Sequence, residues 1–215
     1  LLVWLASMVL LKRDLGKAQA KPKFREILSK SRAINLLSAA RLFLFGARDV
    51  WFVVALPVFL STSLGWDFWR IGGFMAAWII GYGIVQSLAP YFTGRRKGTP
   101  PDGRVACLWA AGLTAIPAAM ALLLARGQDA QTVLVAGLVA FGVLFAINSS
   151  LHSYLIVSYA SEDGVSLDVG FYYMANALGR LIGTVLSGWV FQAAGIGACL
   201  AISAAFVAAA ALISL

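Results

Sequence analysis

The sequence predicts an all-α integral membrane protein, and three features predict it. Hydrophobic residues make up 61% of the 215 and charged residues only 12%, with a mean hydropathy of +0.86. A soluble domain of this size is about half apolar and about a quarter charged. The apolar excess is gathered into runs long enough to cross a hydrocarbon layer, which takes about 20 helical residues. The runs are continuous rather than alternating, which selects helices over a barrel, the other architecture that satisfies its own backbone in lipid.

Taken in order, residues 1–11 read as the end of one spanning helix and 12–33 as a basic, polar connector. Six spans follow, at about 36–62, 67–91, 105–125, 131–157, 168–193 and 196–215, as one bundle over 34–215. Pro57 and Pro117 fall inside spans and are expected to bend them, because proline removes a backbone donor. Pro100, Pro101 and Gly103 mark a tight turn between spans. Leu1 and Leu215 both lie within apolar runs, so the sequence is expected to be a fragment cut at both ends, without a cleavable signal.

The formal charge of +8 does not point to nucleic acid. Eight of the 17 basic residues lie between Lys12 and Arg32, and four more between Arg95 and Arg104. Basic clusters beside apolar spans are what the positive-inside bias produces, so the partner implied is a bilayer with these connectors on the cytoplasmic side. The segment 158–167 should share that side, although it carries Glu162 and Asp163 and no Lys or Arg. Acidic residues weigh little in the orientation rule. The opposite side has Arg70 and Arg126 near its turns, with Trp66 and Trp69 placed for an interfacial belt. Cys107 and Cys199 each stand alone in an apolar run and are expected to be small packing residues.

The distribution of polar residues among the spans points toward function. The third and sixth spans are bland, while the first, second, fourth and fifth carry Arg, Asp, His, Asn, Gln and Tyr. Two spans of each triplet would therefore face something wet, as in transporters built from internal repeats. Arg41 and Arg48 are seven residues apart and share a face of the first span, about 10 Å apart along the axis. Arg41 is expected to snorkel to the headgroups. Arg48 and Asp49 lie deeper, either as an ion-paired lock with another helix or as a substrate or proton site. Asp49 points about 100° away from Arg48, so no pairing between these two is expected along the helix.

In the fifth span Tyr173, Asn176 and Arg180 share a face, and Arg180 is the deepest charge. Its guanidinium needs a carboxylate such as Asp49 or an anionic ligand, and the excess of arginines over acids in the spans favours the ligand. Gly179, Gly183 and Ser187 form a small-residue stripe suited to close helix packing. The fourth span carries a polar stripe of Asn148, Ser149, His152 and Ser153. His152 is the single histidine, a scaffold or a proton relay. Tyr82 and Gln86 are neighbours in the second span, placed either to line a cavity or to bond between helices. The candidate ligands for an anion are thus Arg48, Arg180, Asn176, Tyr173, Asn148 and Gln86, with Asp49 and His152 as candidates for ion coupling. No metal-ligand cluster, phosphate-binding loop or nucleophile–base arrangement is evident, so no cofactor and no enzymatic chemistry are expected.

The stretches LLKRDLGKAQAKPKFREILSKSRAINLLSAARLFLFGARDVWFVVALPVFL (10–60) and FYYMANALGRLIGTVLSGWVFQ (171–192) resemble organoarsenical efflux permeases of the ArsJ type, in the major facilitator superfamily. The segment 41–59 is the most specific part of the likeness. The resemblance implies that the spans are helices seven to twelve of such a transporter, preceded by the end of helix six. It implies export of 1-arseno-3-phosphoglycerate across a bacterial inner membrane, giving arsenate resistance. That ester is made when glyceraldehyde-3-phosphate dehydrogenase uses arsenate, which links the two proteins functionally. Such a polyanionic cargo would suit Arg48 and Arg180. The loop TGRRKGTPPDGR (93–104) keeps a basic run, Arg95, Arg96 and Lys97, but lacks the Asp-Arg pair often found there in the superfamily. The alternatives are another anionic or drug-like cargo and, from a different class, a membrane scaffold or a membrane-embedded enzyme subunit.

Overall fold

The computed structural model describes residues 31–93, 102–160 and 165–215. The expected helix end at 1–11, the connector up to residue 30, the loop residues Arg95, Arg96 and Lys97, and Glu162 with Asp163 lie outside the described residues. The elements in chain order are α1 (Arg32–Phe52), α2 (Ala55–Thr62), α3 (Phe68–Phe92), α4 (Gly103–Ala125), α5 (Ala130–Tyr159) and α6 (Val165–Ile213), with no strand among the described residues. Five stretches are long and apolar enough to cross a membrane, α1 and α2 counting together. This is the architecture of a multi-pass membrane protein.

Aspartates start three of the helices. The side chains of Asp67, Asp102 and Asp129 accept from the amides of Arg70, Val105 and Thr132 at 3.0, 3.1 and 2.8 Å. Each supplies an acceptor to an amide that has no partner within its own helix. At Asp129 these bonds from Thr132 hold the carboxyl below its ordinary value of 3.8.

Pro57 leaves its mark as expected. α1 stops at Phe52 and α2 restarts at Ala55, with Val54 at φ −117° and ψ −53° between them. Proline has no N–H to give the carbonyl four residues back, so the helix breaks one turn earlier. The Ala55 amide is rescued by a side chain, donating to Ser187 Oγ at 3.0 Å. Pro117, by contrast, sits within an uninterrupted α4, and Pro90 within α3.

The long α6 is a hairpin. Gly195 has φ 76° and ψ −177°, a conformation that an L side chain resists. A Cβ on Gly46 of α1 would meet both the Gly179 carbonyl and the Phe206 ring at 3.1 Å, although 179 and 206 are far apart in sequence. A first arm (165–194) and a second arm (196–213) therefore lie side by side on α1. The second arm reaches inward, with Cys199, Leu200 and Val207 fully buried and Ser203 Oγ donating to the Ala47 carbonyl at 2.7 Å. Cys199 is thus a packing residue. Its thiol lies 3.9 Å from the Ser187 carbonyl.

Burial does not follow the expected division into wet and bland spans. α3, which carries Tyr82 and Gln86, is the outermost helix: only Ala89 is buried in it, and it packs mainly on α5, with Trp78 also against Phe52 of α1. The bland second arm of α6 is central instead. Its Ala and Ser residues let backbones approach closely, whereas α3 keeps bulky side chains such as Trp69, Ile79, Ile80 and Ile84 outside. Large apolar side chains such as Ile80, Leu108, Val157, Val185 and Leu212 are mostly exposed around the perimeter, as a lipid-facing surface requires. Trp66 is not a belt residue. It is buried, donates from Nε1 to Gln131 Oε1 at 3.2 Å and carries the Arg70 guanidinium on its ring. Trp69, at 83% exposure, does suit an interface.

Candidate functional site

The first arm of α6 meets α1 through its small-residue stripe. A Cβ on Gly179 would collide with the Leu42 carbonyl, and one on Gly183 would lie 2.6 Å from the Gly46 carbonyl and 3.1 Å from Asp49 Cβ. Only glycine permits this approach, and the approach is what brings the charges of the two helices together.

Asp49 is the centre of the cluster. Its side chain is 1% exposed; Oδ1 accepts from Arg48 Nε at 2.6 Å and Oδ2 from Arg180 Nε at 3.1 Å. The expectation that Arg48 and Asp49 do not pair is corrected. Their Cα–Cβ vectors do diverge along the helix, but the long arginine side chain folds back and presents Nε to its neighbour. Both carboxylate oxygens are thereby used, each by a charge-assisted bond. Arg48 is 14% exposed and lies over the Phe45 and Phe145 rings at 5.1 and 5.5 Å. Arg180 is 54% exposed, so it is half open to the outside of the described bundle.

Tyr173, on the same face as Arg180, is also open at 52% exposure. Asn176, one turn before Arg180, is half-buried, and its Oδ1 is enclosed with no hydrogen bond. Tyr173, Asn176 and Arg180 thus form a strip beside the Asp49 pair, open at its two ends. Gln86 lies on α3, which packs mainly on α5 and reaches α1 through the Trp78–Phe52 ring contact at 4.4 Å. Tyr82 likewise lies in an apolar groove of about 310 Å³ between α3 and α5, stacked on Trp78. Asn148 and His152 are fully enclosed within the bundle rather than on the strip. Asn148 donates from Nδ2 to the Leu144 carbonyl at 3.0 Å, and neither ring nitrogen of His152 has a hydrogen-bond partner. His152 interacts electrostatically with Arg41, not with Asp49.

Arg41 does not snorkel. It is 4% exposed and donates from Nη1 to the Ser149 carbonyl at 3.2 Å and to Ser149 Oγ at 3.3 Å. Its guanidinium lies 3.9 Å from the Phe45 centroid and 5.0 Å from that of Tyr172. The signal for this was the seven-residue spacing from Arg48: a face that turns one arginine inward turns the other inward as well. Among the described residues this inner region therefore holds three arginines, Arg41, Arg48 and Arg180, against Asp49 as the ion-pairing carboxylate. Chemically it is a cation-rich, acceptor-poor site. No group of His, Cys, Asp or Glu suited to a metal occurs among the described residues. No protein-family model and no curated protein matches the chain.

Proposed function

We propose that the chain is the C-terminal six-helix half of a major facilitator transporter that exports an anionic organoarsenical, 1-arseno-3-phosphoglycerate, by alternating access. What carries the reading is the Asp49 pair: a buried carboxylate holding two guanidiniums, one of which is half open to the outside of the bundle. Intramembrane charges are costly and are kept where they serve an ion or substrate path. With Asp49 as the internal counter-ion, a polyanion entering beside Arg180 competes for the same donors. The planar fork of arginine matches a phosphate or arsenate oxygen pair better than a single carboxylate oxygen does. A proton on Asp49 would release both guanidiniums, which makes Asp49 the natural residue for coupling cargo to an ion gradient.

In this reading a preceding six-helix half completes the cavity against the strip of Tyr173, Asn176 and Arg180. The two arms of α6 are then two separate membrane crossings. The protein resides in a bacterial inner membrane and depends on glyceraldehyde-3-phosphate dehydrogenase to form its cargo. The likeness of segments 10–60 and 171–192 to the organoarsenical permeases supplies the choice of cargo; the excess of buried arginines supplies its sign.

The test uses the intact gene in an arsenic-sensitive bacterial host that co-expresses the dehydrogenase. Wild type should permit growth on arsenate and lower the arsenic retained in cells. Arg48→Gln and Arg180→Gln should lose both effects at wild-type abundance in the membrane. Normal export by these variants would end the anion-site assignment, and absent protection by wild type would move the cargo to another anion.

A further inference from the structure

A pocket of about 280 Å³ opens at the end of the bundle where α1 and α4 begin and α5 and α6 finish. The buried Leu37 and Leu155 form its apolar floor, and the more exposed Leu36, Arg104 and Tyr159 its rim. α1 and α4 are the helices entered by the two basic connectors, so the positive-inside bias sets this end at the cytoplasmic membrane surface. Two arginines hold matching places there. Arg32 opens α1 and Arg104 lies in the first turn of α4; both are exposed, and neither is in an ion pair among the described residues. Four residues further along each helix, on the same face, comes an exposed leucine. Leu36 beyond Arg32 is 42% exposed, and Leu108 beyond Arg104 is 72% exposed.

Four residues of helix place each leucine about 6 Å deeper than its arginine. A cation at the surface with hydrocarbon one turn below matches a phospholipid, whose phosphate lies at the headgroup level and whose chains run inward. The pattern occurs on both helices that border the pocket. The pocket itself has room for roughly nine methylenes, taking each at about the 30 Å³ share of a water molecule. Asp102 also lines it, but its Oδ1 accepts from the Val105 amide at 3.1 Å and caps α4. A soluble anion would make no use of the leucines, and an apolar helix would make none of the arginines. We infer that this pocket binds an anionic phospholipid of the cytoplasmic leaflet, its phosphate between Arg32 and Arg104 and one chain along Leu36 and Leu37. The inference concerns the membrane partner and is independent of the cargo named above. The lipid joins the starts of α1 and α4, so it stabilises the cytoplasmic end of the bundle.

The experiment titrates the intact purified protein in detergent with lipid and reads the first bound lipid by native mass spectrometry. The probes are phosphatidylglycerol and phosphatidylethanolamine with the same chains, and inorganic phosphate as competitor. An arginine beside an anionic lipid is worth roughly fivefold in affinity, so wild type should prefer phosphatidylglycerol by roughly 25-fold. Arg32→Gln and Arg104→Gln should each lower that preference about fivefold, and the double variant should abolish it. Arg104→Lys should keep it, because the charge remains. Leu36→Asn should weaken both lipids together, by removing the seat of the chain. Arg126→Gln, at the opposite end of the bundle, should change nothing. Arg32 and Arg104 are exposed, so their variants are expected to keep the wild-type unfolding midpoint in lipid-free detergent. Equal affinity for the two lipids, or an Arg126→Gln as damaging as Arg104→Gln, would overturn the site. Displacement of phosphatidylglycerol by millimolar inorganic phosphate, with Leu36→Asn unaffected, would overturn it too, assigning the arginines to a free anion.

Discussion

Replacing Asp49 by asparagine should destabilise the bundle while tightening its hold on anions. The carboxylate is 1% exposed and serves Arg48 at 2.6 Å and Arg180 at 3.1 Å. Removing one partner of a buried ion pair costs about 3–5 kcal/mol, because the remaining charge stays desolvated. Arg48, only 14% exposed, bears most of that cost. Arg180 is 54% exposed and stays hydrated, so its share is at most about 1 kcal/mol. The asparagine oxygen still accepts one bond, which places the expected loss near 3 kcal/mol, the low end of the range. Arg180→Gln should cost no more than about 1 kcal/mol. Equilibrium unfolding of the detergent-solubilised intact protein measures both. In the transport reading the freed guanidiniums of Asp49→Asn also bind a phosphorylated anion more tightly than wild type does. At a hundredfold excess over its Kd the anion should return about 2.7 kcal/mol, nearly the whole loss. A neutral Asp49→Asn, or an Arg180→Gln equally damaging, would refute the reasoning.

Other predictions follow from the packing. Gly183→Ala places a methyl 2.6 Å from the Gly46 carbonyl and should cost about 1–3 kcal/mol through overpacking, read as a lower unfolding midpoint. Gly188→Ala meets nothing within 4 Å and should be neutral or stabilising by up to about 1 kcal/mol in the same assay. Ser187→Ala leaves the Ala55 amide without its 3.0 Å acceptor at the α1–α2 break and should cost about 1–3 kcal/mol. Its signature is faster hydrogen exchange in the first turn of α2. The Asp129 cap adds a pH dependence: its carboxyl is lowered in the fold, so its contribution is present above the ordinary value of 3.8 and lost as pH falls through the lowered one. Protection of the Thr132 amide, its exchange rate taken relative to that of an unstructured amide at the same pH, should fall over that acid range and be low at every pH in Asp129→Ala.

The helices were legible because hydropathy over some 20 residues is a strong signal. The turn at Gly195 falls in the gap expected between 193 and 196, where a glycine interrupts two apolar runs. The contact made by Gly179 and Gly183 was legible too, since small residues at four-residue spacing have few other uses in a membrane helix. What the sequence hid depends on side-chain reach and on depth. The Arg48–Asp49 bond is formed by the flexible arginine stem, which helical angles do not describe. Arg41 looked close enough to the span's start to reach headgroups, yet Phe45, Tyr172 and Ser149 draw it inward. Nor did the sequence show that Tyr82 of α3 stacks on Trp78. The aspartate caps at Asp67, Asp102 and Asp129 carried a readable signal, an Asp directly ahead of an apolar run, and bear on where three helices begin.

The most direct test of the central claim is transport in everted bacterial membrane vesicles containing the intact protein. Arsenate, glyceraldehyde 3-phosphate, its dehydrogenase and the oxidised nicotinamide cofactor are supplied outside, where the cytoplasmic face is exposed. The account predicts accumulation of arsenic inside wild-type vesicles only when the dehydrogenase is active, and none in vesicles carrying Arg180→Gln. Equal arsenic uptake with and without the dehydrogenase, or full uptake by the Arg180→Gln vesicles, would contradict it.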